Sequence, residues 1–140
     1  MTGKYNGIVT KKLAVLEQRL AELRGWPLGS PGEFAASSFA RSAVERALQV
    51  CVEVVIDIAE RILAVEGRTP GETSFDNLLA LQSLGGVASA AKYRPMLQFR
   101  NFVVHRYEYV DSEILYDIAK NKLGDFEEYI GEIKQFLARP

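Results

Sequence analysis

Arg100, Asn101, His105 and Tyr107 bring a guanidinium, an amide, an imidazole and a phenol into one short stretch, and the imidazole belongs to the only histidine in the chain. An arginine beside an amide can hold a phosphodiester, and an imidazole can move protons at neutral pH. If the stretch is α-helical, Arg100 and Tyr107 are nearly eclipsed. His105 then lies roughly 140° from Arg100 but four residues from Asn101. The set therefore spreads over half of a helix surface, so part of it can face a cleft while Phe102 and Val103 pack inward. No phosphate-cradling glycine loop, metal-ligand cluster or serine nucleophile elbow is present, so any catalysis here is expected to need neither metal nor cofactor. Cutting RNA that way takes one group to accept the proton of the 2′-hydroxyl, another to protonate the leaving oxygen, and positive charge on the phosphate. One histidine does not easily fill both proton-transfer roles. A two-fold dimer would place two histidines and two arginines across one cleft. On spacing alone, a histidine held by structural hydrogen bonds remains the alternative.

The surroundings of this stretch are positive although the chain is not. The net charge is −1, which argues against a polycation that coats nucleic acid. Between Asn77 and Tyr107, however, no acid occurs, while Lys92, Arg94, Arg100 and Arg106 all fall there. That suits an anionic ligand.

Length and composition bound the rest. With 140 residues, 48% hydrophobic and 25% charged, the chain fits a single domain, 1–140, with an ordered core over about 8–137. The one cysteine, Cys51, excludes an internal disulfide and disfavours a zinc site, which fits a reducing cytoplasm. The segment from Met1 to Asn6 has no apolar signal core, and no run of about 18 apolar residues occurs, so neither secretion nor a membrane span is expected.

The elements that must position the central stretch read as helices. Ile8, Leu13, Leu16, Leu20 and Leu23 close one face of a first helix. Gly25, Pro27, Gly29, Pro31 and Gly32 predict a loop. Ser37 or Ser38 caps a long second helix to about Glu66, on which Val44, Ala47, Cys51, Val55, Ile58 and Ile62 repeat at helical spacing. Thr73 or Ser74 opens a short helix ended by Gly85-Gly86, Val87 to Tyr93 forms a further helical segment, and Pro95 marks a break before a helix over Met96 to Tyr109. Asp111 or Ser112 caps one last helix whose apolar repeat runs from Leu115 to Leu137. The fold class is all-α, an up-down bundle of four to five helices.

Within the second helix, Val50 to Ile58 is apolar on nearly every side, which predicts burial on both faces and asks for a second subunit or partner. Arg46, Gln49, Glu53 and Asp57 cross it as a narrow polar seam. Buried carboxylates need partners, and Arg100 and His105 are the candidates, which would make Glu53 and Asp57 supporting residues of the site.

The pattern Arg100, Asn101, His105, Tyr107 resembles the signature of the HEPN superfamily, specifically its HepT-like toxin branch. Glu45-Arg46-Ala47-Leu48-Gln49 leading to Asp57-Ile58-Ala59 is similar to that branch's second helix, and Arg100 through Tyr107 with Val110-Asp111 to its fourth and the start of its fifth; the likeness spans roughly Ile8 to Leu137. The resemblance implies an all-α homodimer, HEPN-like, whose arginine-histidine pairs line a shared cleft and cut RNA as a toxin. It further implies a minimal nucleotidyltransferase antitoxin that silences the toxin by adding AMP to the motif tyrosine. On that basis Arg100 would bind the scissile phosphate, His105 would act as general base or acid, Asn101 would orient phosphate or histidine, and Tyr107 would carry the modification. An adenylyl group there would add charge and bulk in the cleft. The Gly25–Gly32 loop and Pro95 depart from the branch's pattern. The rival reading is a non-catalytic helical adaptor or substrate-binding subunit of that nucleotidyltransferase, using the same positive patch only for recognition.

Overall fold

The computed structural model describes residues 5, 7–105 and 111–139, with the side chains of 101–105 outside the described set. Among the described residues there are seven α-helices, one 3-10 turn and no strand. They are α1 (Ile8–Gly25), α2 (Pro31–Ala36), α3 (Ser38–Val65), α4 (Ser74–Ser83), α5 (Arg94–His105), α6 (Ser112–Asn121) and α7 (Gly124–Leu137), with the 3-10 turn Ala90–Tyr93 leading into α5.

The architecture is all-α, and the starts of α3, α4 and α6 follow local chemistry. The Ser37 hydroxyl accepts from the Ala40 N–H at the head of α3, and Thr73 with Asp76 forms a reciprocal capping box at the head of α4. Asp111 accepts from the Glu113 N–H to start α6. Gly85, at φ 86°, turns the chain out of α4 in the left-handed conformation that glycine adopts without a Cβ clash.

Three expectations are corrected. The Gly/Pro stretch is not all loop: Pro31 begins α2, Ser30 and Glu33 cap it reciprocally, and it buries Phe34 against the ring of Tyr116 at 5.5 Å. Val87 to Tyr93 supplies only the 3-10 turn. The last helix is two, because α6 stops at Asn121 and α7 restarts at Gly124, while buried Leu123 between them keeps the apolar repeat in phase. The described residues thus form seven helices where a bundle of four to five was expected.

The fourth correction concerns α3. Its apolar faces are covered from within one chain, since α1, α2, α4, α5, α6 and α7 all pack on it. Cys51, Val52, Val55, Ile56, Ile58, Ala59 and Ile62 are buried there; Val50 and Val54 are half-buried. A helix surrounded by six others can be apolar nearly all round without a second subunit. The surrounding burial pushes the Cys51 thiol up to about 12.

The entry to α5 is pinned from two sides. Ala90 N–H donates to Gln82 Oε1 of α4 at 2.8 Å. The Glu132 carboxylate of α7 accepts from the fully buried Tyr93 hydroxyl and from the Ala88 N–H. Tyr93 also packs edge-on against Tyr129 at 5.3 Å, and Tyr129 in turn donates to the Val55 carbonyl of α3 at 2.9 Å. This chain of contacts fixes the helix that carries the candidate site.

Candidate active site

Helix α5 starts with Arg94-Pro95, where a proline in the first turn loses no helical hydrogen bond and its fixed φ suits the geometry. Met96 and Leu97 are buried, Phe99 and Arg100 half-buried, and Arg94 and Gln98 exposed. The helix therefore has two useful sides. Pro95, Met96 and Phe99 face α6 and α7 across an apolar pocket of about 190 Å³ that also includes Val52, Ile118 and Phe126. Arg94, Leu97, Gln98 and Arg100 line a larger cleft, about 460 Å³, closed on the other side by Glu72, Thr73, Ser74 and Phe75 at the start of α4.

This second cleft is the more polar and the more cationic. The Arg94 guanidinium lies over the Phe75 ring, 3.9 Å from its centroid. Arg100 has its Nε buried with no hydrogen-bond partner among the described residues. Arg61 Nε on α3 is in the same condition. Of the acid-free window's cations, Lys92 is neutralised by Glu128 of α7, whereas Arg94 and Arg100 have no acidic partner among the described residues. Glu72 lines the cleft but forms an ion pair with neither. A buried guanidinium nitrogen left without an acceptor costs about 1–3 kcal/mol, and Arg100 as a residue lines the cleft, where a guanidinium can take an oxyanion.

The residues singled out in the sequence stand as follows. Arg100 lines the cleft. Asn101 and His105 belong to α5, the latter as its last residue, and their side chains lie outside the described set. Tyr107 lies outside the described residues altogether. Glu53 and Asp57 have partners other than the expected ones: Glu53 Oε1 accepts from Gln49 Nε2 at 3.1 Å, and Asp57 pairs with Lys12 of α1 at 3.8 Å. The polar seam is only half-buried, and Asp57 is exposed, so water and Lys12 meet the need that burial would have created. Among the described residues no group of acids, histidines and cysteine is arranged to hold a metal ion. No helix of the described residues is long and apolar enough to cross a membrane.

Sequence reasoning missed Arg94 and Phe75. Arg94 was visible only as one more positive charge, and nothing local ties it to an aromatic nineteen residues earlier. The contact exists because α4 packs on α5.

Comparison with known proteins bears on the family and the fold. Among curated proteins, the mRNA nuclease HepT of Shewanella oneidensis is 28% identical over 131 residues, covering 92% of this chain and 98% of that one. A solved structure of the tri-AMPylated Shewanella oneidensis HEPN toxin in complex with its MNT antitoxin superposes with a TM-score of 0.80 at 25% identity, covering 91% of this chain and 97% of that one. The cytosolic protein YutE of Bacillus subtilis, of unknown function, shares the fold, with a TM-score of 0.80 at 17% identity over 94% of this chain and 90% of that one. The family model described as "Ribonuclease HepT-like" matches residues 10–133, and the chain belongs to that family.

Proposed function

We propose that this chain is a metal-independent endoribonuclease toxin that works as a homodimer, with Arg100, Asn101 and His105 of two α5 helices forming one cleft. The observation that supports this most is Arg100, a family-motif arginine that lines a cationic cleft with no acidic partner among the described residues, on the helix that also carries Asn101 and His105. In the proposed reaction one His105 takes the proton of the 2′-hydroxyl as its oxygen bonds to the adjacent phosphorus. The 5′-oxygen leaves with a proton from the second protomer's His105. Arg100 neutralises the charge gathering on the non-bridging oxygens. The products are a 2′,3′-cyclic phosphate and a 5′-hydroxyl.

By analogy with the Shewanella oneidensis toxin, a minimal nucleotidyltransferase is the partner, and Tyr107 is the residue it modifies. The Tyr107 oxygen would bond to the α-phosphorus of ATP and release pyrophosphate, placing a negative phosphodiester where RNA must approach. Labelled RNA incubated with purified protein in EDTA tests the reading. Wild type is expected to cut, with Arg100→Ala and His105→Ala each slower by at least about 10²-fold. Undiminished cutting by His105→Ala refutes the nuclease; loss of cutting in EDTA that magnesium restores refutes metal independence.

A further inference from the structure

The cleft continues past Arg100 to the start of α5, and this part is not needed to hold a scissile phosphate. We propose that Arg94, backed by Phe75 and flanked by Gln98, is a nucleotide-binding subsite that holds the RNA strand beside the cleavage point. The proposal rests on the ribonuclease reading and adds to it the path of the substrate.

Three observations converge. The Arg94 guanidinium sits 3.9 Å from the Phe75 ring centroid, so one face of the cation is already desolvated and held, and the side chain loses little freedom when a ligand arrives. Arginine planes and aromatic rings are the surfaces on which unpaired bases stack, and the same guanidinium can pair with a phosphate. Arg94, Gln98 and Arg100 line a single cleft of about 460 Å³, wide enough for more than one isolated oxyanion. The register of α5 supplies direction. Positions 94, 98, 101 and 105 follow one another at spacings of four, three and four, which is one stripe of an α-helix. A strand lying along that stripe passes from the Arg94 position to the His105 position over about 16 Å, at 1.5 Å per residue. Glu72 is the single acid among the cleft's lining residues and opposes an anion there, so it limits affinity without closing the path.

The test uses full-length protein carrying His105→Ala, which slows cutting, and RNA whose 2′-hydroxyls are methylated, so that the strand binds without being cut. Binding of a fluorescein-labelled single-stranded RNA 12-mer is followed by anisotropy between about 50 and 200 mM salt, the range over which phosphate contacts are read. Arg94→Ala is expected to weaken binding about tenfold and to lower the salt slope by close to one phosphate contact. Arg94→Lys should keep the slope and lose part of the affinity, because it keeps the charge and loses the plane. Phe75→Leu, which retains an apolar side chain, should weaken binding with the slope unchanged. Glu72→Gln should tighten binding. Lys134→Ala, which breaks a pair with Glu17 on the α1–α7 side, is the charge control. If Arg94→Ala binds with the affinity and slope of Lys134→Ala, the subsite is refuted even where cleavage assays uphold the nuclease. If the His105→Ala protein cuts unmodified RNA as fast as wild type, the nuclease reading fails, and the Arg94 comparison on RNA with methylated 2′-hydroxyls, which lacks the attacking group, still decides the subsite.

Discussion

The Glu132 carboxylate joins α7 to the segment that launches α5, and a double-mutant cycle can measure how firmly. In Tyr93→Phe the buried hydroxyl disappears, and with it one hydrogen bond to an ionised acceptor, a class worth about 1.5–3 kcal/mol. Glu132 is only half-buried and regains water, so the lower end applies, about 1.5 kcal/mol. In Glu132→Ala the Tyr93 hydroxyl, on a fully buried residue, is left without its acceptor, and the Ala88 N–H loses its 2.7 Å bond too. The expected cost is about 2.5 kcal/mol. In the double variant the orphaned hydroxyl is absent, so the two costs are not additive and the coupling is about 1.5 kcal/mol. For a domain of this size that amounts to roughly 4–6 °C in Tm for Tyr93→Phe. Urea unfolding of the four proteins, read by far-ultraviolet circular dichroism, supplies the cycle. A coupling under about 0.5 kcal/mol would refute the claim that this carboxylate holds Tyr93 and the start of α5.

Other variants bear on separate parts of the account. Arg100→Lys is expected to restore little of the cleavage lost in Arg100→Ala, because an ammonium lacks the forked donors; near wild-type rates would show that charge alone suffices. Asp57→Asn is expected to change stability by less than about 0.5 kcal/mol and to leave cleavage intact, since Asp57 is exposed and its partner is Lys12; a large loss of cleavage would return Asp57 to the site. Gly86→Ala places a methyl within 2.7 Å of Leu81 Cγ and should cost about 1–3 kcal/mol in thermal unfolding. Cys51 should resist a thiol reagent at pH 8 until the protein unfolds. Because burial raises its thiol from 9.0 to about 12, the unfolded chain releases that proton first, and stability should fall as pH rises from about 9 towards 12. An unfolding midpoint that is flat over that range would contradict the burial.

Much of this architecture can be read from residue types. Ser37, Thr73 and Asp111 announce their helices because short oxygen-bearing side chains satisfy the first free N–H groups. Ser30-Pro31-Gly32-Glu33 carries the same signal for α2, but its glycine and prolines also read as loop, and the two readings conflict locally. The break before Gly124 leaves no trace in the apolar repeat, since Leu123 stays buried in phase. The enclosure of α3 depends on how six other helices fold over it, a tertiary matter that its own composition does not contain. At the candidate site, Arg100, Asn101 and His105 stand out through the family's spacing, and of the three only the Arg100 side chain is among those described. Arg94 on Phe75 is not, because the two residues meet only when α4 packs on α5.

A central helix whose apolar residues are packed on by six others of its own chain separates two quantities that many dimers keep together. Each protomer should fold without a partner, so its melting temperature is expected to fall on dilution only until the pair has dissociated and to stay constant below that concentration. A cleft assembled from two protomers, by contrast, loses activity with the square of concentration once dilution pulls the pair apart. Scarcity alone would then leave intact, folded and silent single chains, ready to act again when a second copy arrives.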